Sequence, residues 1–309
     1  MTLRQAFWWG GFLFSLFQAG FSRAENIFRV ATYNVENYLD AAADTRPVKS
    51  SESKAKVRDS ILAMKPDVIA LQEMGGTNAF MELRASLKTA GLDYPHWEHL
   101  TGFDTNIHLA VLSKFPFTAR RPQTNDNFLL NGRRFRVGRG FAEVDVQVND
   151  NYSFTLITAH LKSRRPVPEA DEADLREQEA VLLREKIDKC LAANPKANLI
   201  VLGDFNDTKD AKSTRALIGK GKIALFDTRP AENNGDNPAN PVARFELRNI
   251  TWTHYYGKED SYSRIDYILL SPGLKREWLS KETHIVTIPN WGLGSDHRPI
   301  VAGFVAEEK

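Results

Sequence analysis

Several short stretches of this chain place chemically capable side chains at the ends of apolar runs. "DVIALQE" ends on Glu73, "FTLITAH" on His160, and "NLIVLGDFN" on Asp204 and Asn206. "RVATYNVEN" carries Asn34 and Glu36, and "SRIDYILLS" sets Asp266 just before an apolar strand. Near the C-terminus, "GSDHRPI" puts Asp296, His297 and Arg298 side by side ahead of "IVAGFV". An acid just past a buried strand stands on rigid scaffold at the edge of a sheet, where open α/β folds hold their ligands. Any one of these residues could equally cap a helix or face water. The question is whether they share a task.

Their types narrow the chemistry. Asn34, Glu36, Glu73, Asp204, Asn206 and Asp296 are oxygen donors, the ligand set of Mg²⁺ or Mn²⁺, and His160 and His297 are suited to moving protons. Asp204 and Asn206 point the same way if their strand stays extended. An EF-hand reading of "DFNDTKD" fails, because Lys209 stands where the loop requires glycine. No Cys/His cluster points to zinc, and no G-x-S-x-G elbow points to a serine hydrolase. Asp266, flanked by Ile265 and "YILL", needs a partner if buried. His297 would suit it, since a carboxylate on an imidazole N–H sets the tautomer; Arg264 and Arg298 are the alternatives.

Short apolar runs alternate with helical segments along the chain. "SSESKAKVRDSILAM" has helical periodicity and stops before Pro66, and the longest helix is expected from about Ala170 to Ala193. "GFAEVDVQV" alternates as a strand, and "NITWTHYY" and "THIVTI" also read as strands. Strands outnumber helices, and helices separate only some of them. This pattern points to mixed sheets covered by helices, an α/β layered sandwich.

The chain has 309 residues, 42% hydrophobic and 26% charged, enough for one large core. It opens with Arg4, an apolar run to Phe21 and then "SRA", the pattern of a secretory signal peptide over residues 1–24. The apolar run is short for a membrane span. Residues 25–309 are left as one exported domain, in the periplasm or outside the cell. Cys190 is the only cysteine, so no intrachain disulfide forms. Without Arg4 and Arg23 the bases equal the 39 acids, and a neutral total argues against indiscriminate grip on duplex DNA. There are no repeats or coiled-coil heptads, and a monomer is expected. No hairpin suited to membrane contact stands out.

"TYNVEN", "LQE", "TAHLKS", "GDFND", "SRIDYIL" and "SDHRPI" together resemble, in order, the motifs of the endonuclease/exonuclease/phosphatase superfamily. That superfamily includes pancreatic-type deoxyribonucleases, apurinic-site repair nucleases, bacterial sphingomyelinases and inositol polyphosphate phosphatases. The resemblance runs from Asn34 to Pro299 and implies a four-layer sandwich with two central mixed β-sheets flanked by helices. It implies Glu73 as principal metal carboxylate, with Asn34, Glu36 and Asp296 nearby, for one or two Mg²⁺ or Mn²⁺ ions. His297 would take a proton from the attacking water, oriented by Asp266. Asp204 and Asn206 would position water or phosphate, and His160 would contact a phosphate oxygen or the leaving group.

The implied reaction is hydrolysis of a phosphate ester, in nucleic acid or in a lipid or small molecule. "RRPQTNDNFLLNGRRFRVGRG" offers Arg120, Arg121, Arg133, Arg134, Arg136 and Arg139 against one acid, as a phosphate-gripping loop or a solvated positive one. Arg139 is the best placed to bind substrate, and the segment mildly favours nucleic acid. A non-catalytic binding protein on the same scaffold would be expected to lack Glu73, His160, Asp204 or His297. All four are present.

Overall fold

A computed structural model describes residues 26–233 and 250–308; the expected leader, residues 1–24, lies outside them. Sixteen strands and four α-helices follow one another within the described residues. β1 (Ile27–Tyr38), α1 (Ser51–Met64), β2 (Val68–Met74), α2 (Thr77–Thr89), β3 (His96–Leu100) and β4 (His108–Ser113) come first. β5 (Phe117–Arg120), β6 (Asn127–Leu130), β7 (Arg133–Arg136), β8 (Phe141–Asn149), β9 (Tyr152–His160), α3 (Glu172–Ala193) and β10 (Leu199–Asp204) come next. The chain ends with α4 (Lys212–Ile218), β11 (Phe226–Asp227), β12 (His254–Tyr256), β13 (Ser261–Ser263), β14 (Asp266–Leu270), β15 (Trp278–Ile285) and β16 (Ile300–Val305).

The helices end where local chemistry ends them. Ser50 caps α1 by accepting the Ser53 N–H, and Lys65 closes it in the left-handed region ahead of Pro66. Asp171 caps α3 by accepting from the N–H groups of Ala173 and Asp174, with Glu172 and Asp174 favourably placed in the first turn.

One sheet has the order β15-β16-β1-β2-β4-β3 and the other β11-β14-β10-β9-β8-β5. Each contains one parallel pair, β1 with β2 and β9 with β10, flanked by antiparallel neighbours. Alternation along these strands builds three hydrophobic layers. Phe28, Val30, Val68 and Ala70 of one sheet meet Leu156, Ile200, Leu202 and Ile268 of the other between the sheets. Ala31, Tyr33, Ile69 and Leu71 face the other way, onto Val57, Ile61, Phe80 and Leu83 of α1 and α2. Ile157, Val201 and Tyr267 pack on Leu183, Ile187 and Leu217 of α3 and α4. This is the expected four-layer α/β sandwich of two central mixed sheets flanked by helices. No helix among the described residues is long and apolar enough to cross a membrane.

Three elements differ from expectation. The "THIVTI" strand begins earlier and stops at Ile285. Of "NITWTHYY", the described residues form a strand over His254–Tyr256, and just before it Thr253 Oγ1 accepts the N–H groups of Ile265 and Asp266. The arginine-rich segment forms the β6–β7 hairpin, turning at Asn131-Gly132 with both φ angles positive. Asn-Gly is the favoured chemistry for such a turn, a signal that was open to view in the sequence.

Two stability predictions arise here. Gly203, inside β10, has φ +135, and a Cβ there would lie 2.0 Å from the Ala159 carbonyl oxygen of β9. Gly203→Ala is expected to cost about 3 kcal/mol or more, read as a fall in the denaturation midpoint. His108 is buried, and desolvation, with His99 beside it, lowers its pKa to about 4. An imidazole held below its unfolded value contributes stability above pH ~6.5 that is lost as pH falls toward the folded value. Acidification from pH ~6.5 to ~4 should therefore destabilise the protein, by up to about 3 kcal/mol from this group. A matched His108→Gln variant should show a flatter pH dependence of melting.

Candidate active site

The two parallel pairs deliver the sequence-predicted residues to one edge. Asn34 lies near the C-terminal end of β1, Glu73 near that of β2, His160 at that of β9 and Asp204 at that of β10. Asp266 begins β14 directly opposite Asp204, and His297 lies just before β16. Below them, Thr32, Gln72 and Thr158 form a buried hydrogen-bonded chain, Thr32 Oγ1 to Gln72 Oε1 at 3.1 Å and Gln72 Nε2 to Thr158 Oγ1 at 3.2 Å. This polar layer separates the charged mouth from the apolar sandwich.

Simple alternation would turn Glu73 toward the helices rather than the mouth. It is recovered by a left-handed backbone, φ +59, opposite a bulge in β1 where Glu36 and Asn37 have φ +43 and +48. Such conformations cost on the order of 1–3 kcal/mol each for non-glycine residues and gather where function demands them. The Asn37 N–H donates to Glu73 Oε2 at 2.9 Å, holding the carboxylate in place. Asn206 is also left-handed, φ +54, so the extended arrangement expected for Asp204 and Asn206 does not occur. Instead the Asn206 N–H donates to Asp204 Oδ1 at 2.8 Å, and its amide nitrogen donates to the Leu161 carbonyl at 3.0 Å.

Asp204 is the hub. Its Oδ2 accepts from Asn34 Nδ2 at 3.0 Å and lies 3.5 Å from His160 Nε2 and 3.7 Å from His297 Nε2. Asn34 Nδ2 also reaches Glu73 Oε1 at 3.4 Å, while Asn34 Oδ1 accepts the Glu36 N–H at 3.0 Å. Burial pushes the Asp204 carboxyl up to about 7, against the pull of His297. His297 Nδ1 pairs with Asp266 Oδ2 at 2.8 Å, both residues buried. The competing partners are engaged elsewhere: Arg264 forks onto Asp227, and Arg298 contacts the Trp252 carbonyl and Glu232. Burial would lower the His297 pKa, but Asp266 and Asp204 outweigh it and raise it well above the ordinary range. His160 moves the other way, lowered by burial and by the positive charge of Arg139.

The "SDH" turn is pinned to the first sheet. Ser295 Oγ donates to the Asn34 carbonyl at 2.8 Å and accepts the His297 N–H at 3.0 Å. The Asp296 N–H donates to Glu36 Oε2 at 3.1 Å. Burial and the nearby Asp296 raise the Glu36 pKa. Glu36, Glu73 and Asp296 thus line one negative mouth without enclosing it in a closed donor cage. That suits Mg²⁺ or Mn²⁺, since Mg²⁺ keeps several waters and takes one or two carboxylates. The donor set fits a hard cation.

Of the six arginines singled out, Arg120 pairs with Glu98, and Arg121 with Glu143 and Asp145. Arg139 is nearly buried, donating to the Leu161 carbonyl at 3.4 Å with Nε 3.6 Å from Asp104. Arg133, Arg134 and Arg136 are exposed on the β6–β7 hairpin. Three residues of the site had no motif to announce them. Lys49 Nζ donates to the Glu36 carbonyl at 2.7 Å. Buried Glu179, on α3, accepts the N–H groups of Gly138 at 3.2 Å and Lys162 at 2.6 Å, clamping the segments that carry Arg139 and His160. The His254 ring centroid lies 4.6 Å from that of His297.

Solved structures share this architecture at low sequence identity. The catalytic domain of human nocturnin with bound sulfate is 16% identical, with a TM-score of 0.63, over 92% of this chain and 96% of that one. Sphingomyelinase C from Streptomyces griseocarneus is 17% identical, with a TM-score of 0.59, over 90% and 99%. Truncated TDP2 from Caenorhabditis elegans is also 17% identical, with a TM-score of 0.59, over 91% and 98%. No curated protein matches the chain. The model of the endonuclease/exonuclease/phosphatase family matches residues 31–297, and the chain belongs to that family of metal-dependent phosphate-ester hydrolases.

Proposed function

We propose that this protein is an exported nuclease that cleaves phosphodiester bonds in DNA or RNA through an activated water. The observation that carries the catalytic reading is the His297–Asp266 pair, 2.8 Å apart, facing Asp204 beside His160 and Glu73. With Nδ1–H donated to Asp266, Nε2 is the nitrogen that takes a proton from water once the imidazole is neutral. Asp204 and Asn34 orient the polar floor, while His160 stands beside the phosphoryl position and Arg139 supplies positive charge close by. One or two Mg²⁺ or Mn²⁺ ions held by Glu73, with Glu36, Asp296 and Asn34 near, would neutralise charge developing on the phosphoryl oxygens.

Nucleic acid is favoured by the exposed Arg133, Arg134 and Arg136, which precede Arg139 by a few residues and extend its charge outward. Export is supported by the leader-like residues 1–24. A lipid or small phosphate ester is the second reading. The β12–β13 hairpin, not anticipated from sequence, leaves Tyr256 and Tyr262 exposed, with exposed Leu293 elsewhere on the surface. That hairpin joins the site through the His254–His297 backbone bridge.

Hydrolysis of plasmid DNA, RNA, a generic phosphodiester and a generic phosphomonoester, with Mg²⁺, Mn²⁺ or EDTA, tests both readings. Metal-dependent nicking lost in His297→Ala supports the nuclease. Turnover of small esters alone moves the substrate to the second class, and no turnover of any substrate would sink both.

A further inference from the structure

His254 belongs to none of the chemistry above, yet it is held against it. Residues 253–255 pair with 296–298 as an isolated antiparallel bridge between His254 and His297. The Tyr255 N–H donates to the Asp296 carbonyl at 3.0 Å, and the Arg298 N–H to the Thr253 carbonyl at 2.6 Å. This frame sets two imidazoles and a carboxylate around one point. His254 Nε2 lies 3.5 Å from Asp296 Oδ2, and His297 Nε2 lies 3.9 Å from Asp296 Oδ1. One ligand atom from each residue falls within 4.8 Å of the other two.

We propose that His254, Asp296 and His297 form a site for a borderline divalent cation of the Zn²⁺ type, which shares Asp296 with the oxygen-rich mouth but adds two imidazoles to it. Two imidazoles and one carboxylate are a zinc donor set, and an open fourth position completes a tetrahedron with water. Donors bound at 2.0–2.1 Å sit about 3.3 Å apart in a tetrahedron, so these atoms need draw in by only ~1 Å or so. Asp296, whose side chain is 40% exposed, has room to move. The Asp266–His297 bond gives the remaining support: a carboxylate on the far nitrogen of a ligating imidazole fixes its tautomer and strengthens its donor. The sequence offered no zinc pattern because these two histidines stand far apart in the chain and meet only through the bridge.

Occupancy has a consequence that rests on the proposed hydrolytic role of His297. The ion takes the Nε2 lone pair that would accept the proton of water. Zn²⁺ therefore inhibits turnover at saturating Mg²⁺, without competing for Glu73.

Zn²⁺ uptake is measured by calorimetry in excess Mg²⁺ without substrate, and Co²⁺ uptake by its visible absorption. One equivalent of Zn²⁺, an intense four-coordinate Co²⁺ spectrum, and binding at least ~10²-fold weaker in His254→Phe are expected. The Co²⁺ spectrum of the wild-type protein needs no variant to fold. No stoichiometric uptake, displacement of Zn²⁺ by Mg²⁺, or unchanged affinity in His254→Phe would overturn the site. Uptake as expected in a protein that hydrolyses nothing would leave the metal site standing and remove the catalytic reading instead.

Discussion

Replacing His297 with alanine is expected to lower kcat for metal-supported hydrolysis about 10²–10⁴-fold, with a much smaller effect on KM. The imidazole pairs with buried Asp266 through Nδ1, and its Nε2 faces Asp204 and Asp296 at the mouth. Asp266→Asn should fall in the same range for a different reason. An amide in place of Oδ2 offers His297 Nδ1 either a poorer acceptor or an N–H, which favours the wrong tautomer.

The pH profile separates the two effects. Asp266 is among the carboxylates that hold the His297 pKa up, so removing its charge lowers that pKa. A base active in its neutral form then becomes available at lower pH. The acidic limb of kcat against pH should shift down in Asp266→Asn, even as the maximum falls. An unshifted limb would show that His297 does not titrate in the reaction.

Glu73→Gln is expected to weaken Mg²⁺ binding by about 10²-fold or more and to abolish turnover at ordinary Mg²⁺ concentrations. The same variant should melt at a higher temperature than the wild-type protein when both are stripped with EDTA. Glu73 lies among like charges, since Glu36 feels both it and Asp296 repulsively. It also holds a left-handed backbone, and Lys49 offsets the charge of these acids only in part, since burial and Asp296 still raise the Glu36 pKa. Stability lost at a functional site is commonly recovered when the function is removed. Equal melting temperatures with and without Mg²⁺ for the wild-type protein would count against a metal held there.

Much of this site was legible in the chain. The apolar runs that end on Glu73, His160 and Asp204 marked these residues as standing at the edge of a sheet, and the structure places all three at strand ends on one edge. A charged residue set into "RIDYILL" had to find a partner, and His297 was the nearest in chemical kind. The layered α/β sandwich followed from helices separating only some of the strands.

What the chain alone left open was decided by contacts between distant residues and by backbone that breaks the repeat. No periodicity foretells that Glu73 adopts φ +59 and rejoins the mouth, or that Asn206 turns to bind Leu161. Which arginines pair with carboxylates depended on where Glu98, Glu143, Asp145 and Asp104 came to lie. Glu179 and His254 gained their places only through the packing of α3 and the bridge to His297. Alternation and charge are local properties of a strand and can be read from it. Register, strand order and ion-pair choice are settled by burying three apolar layers at once, and no single segment carries that information.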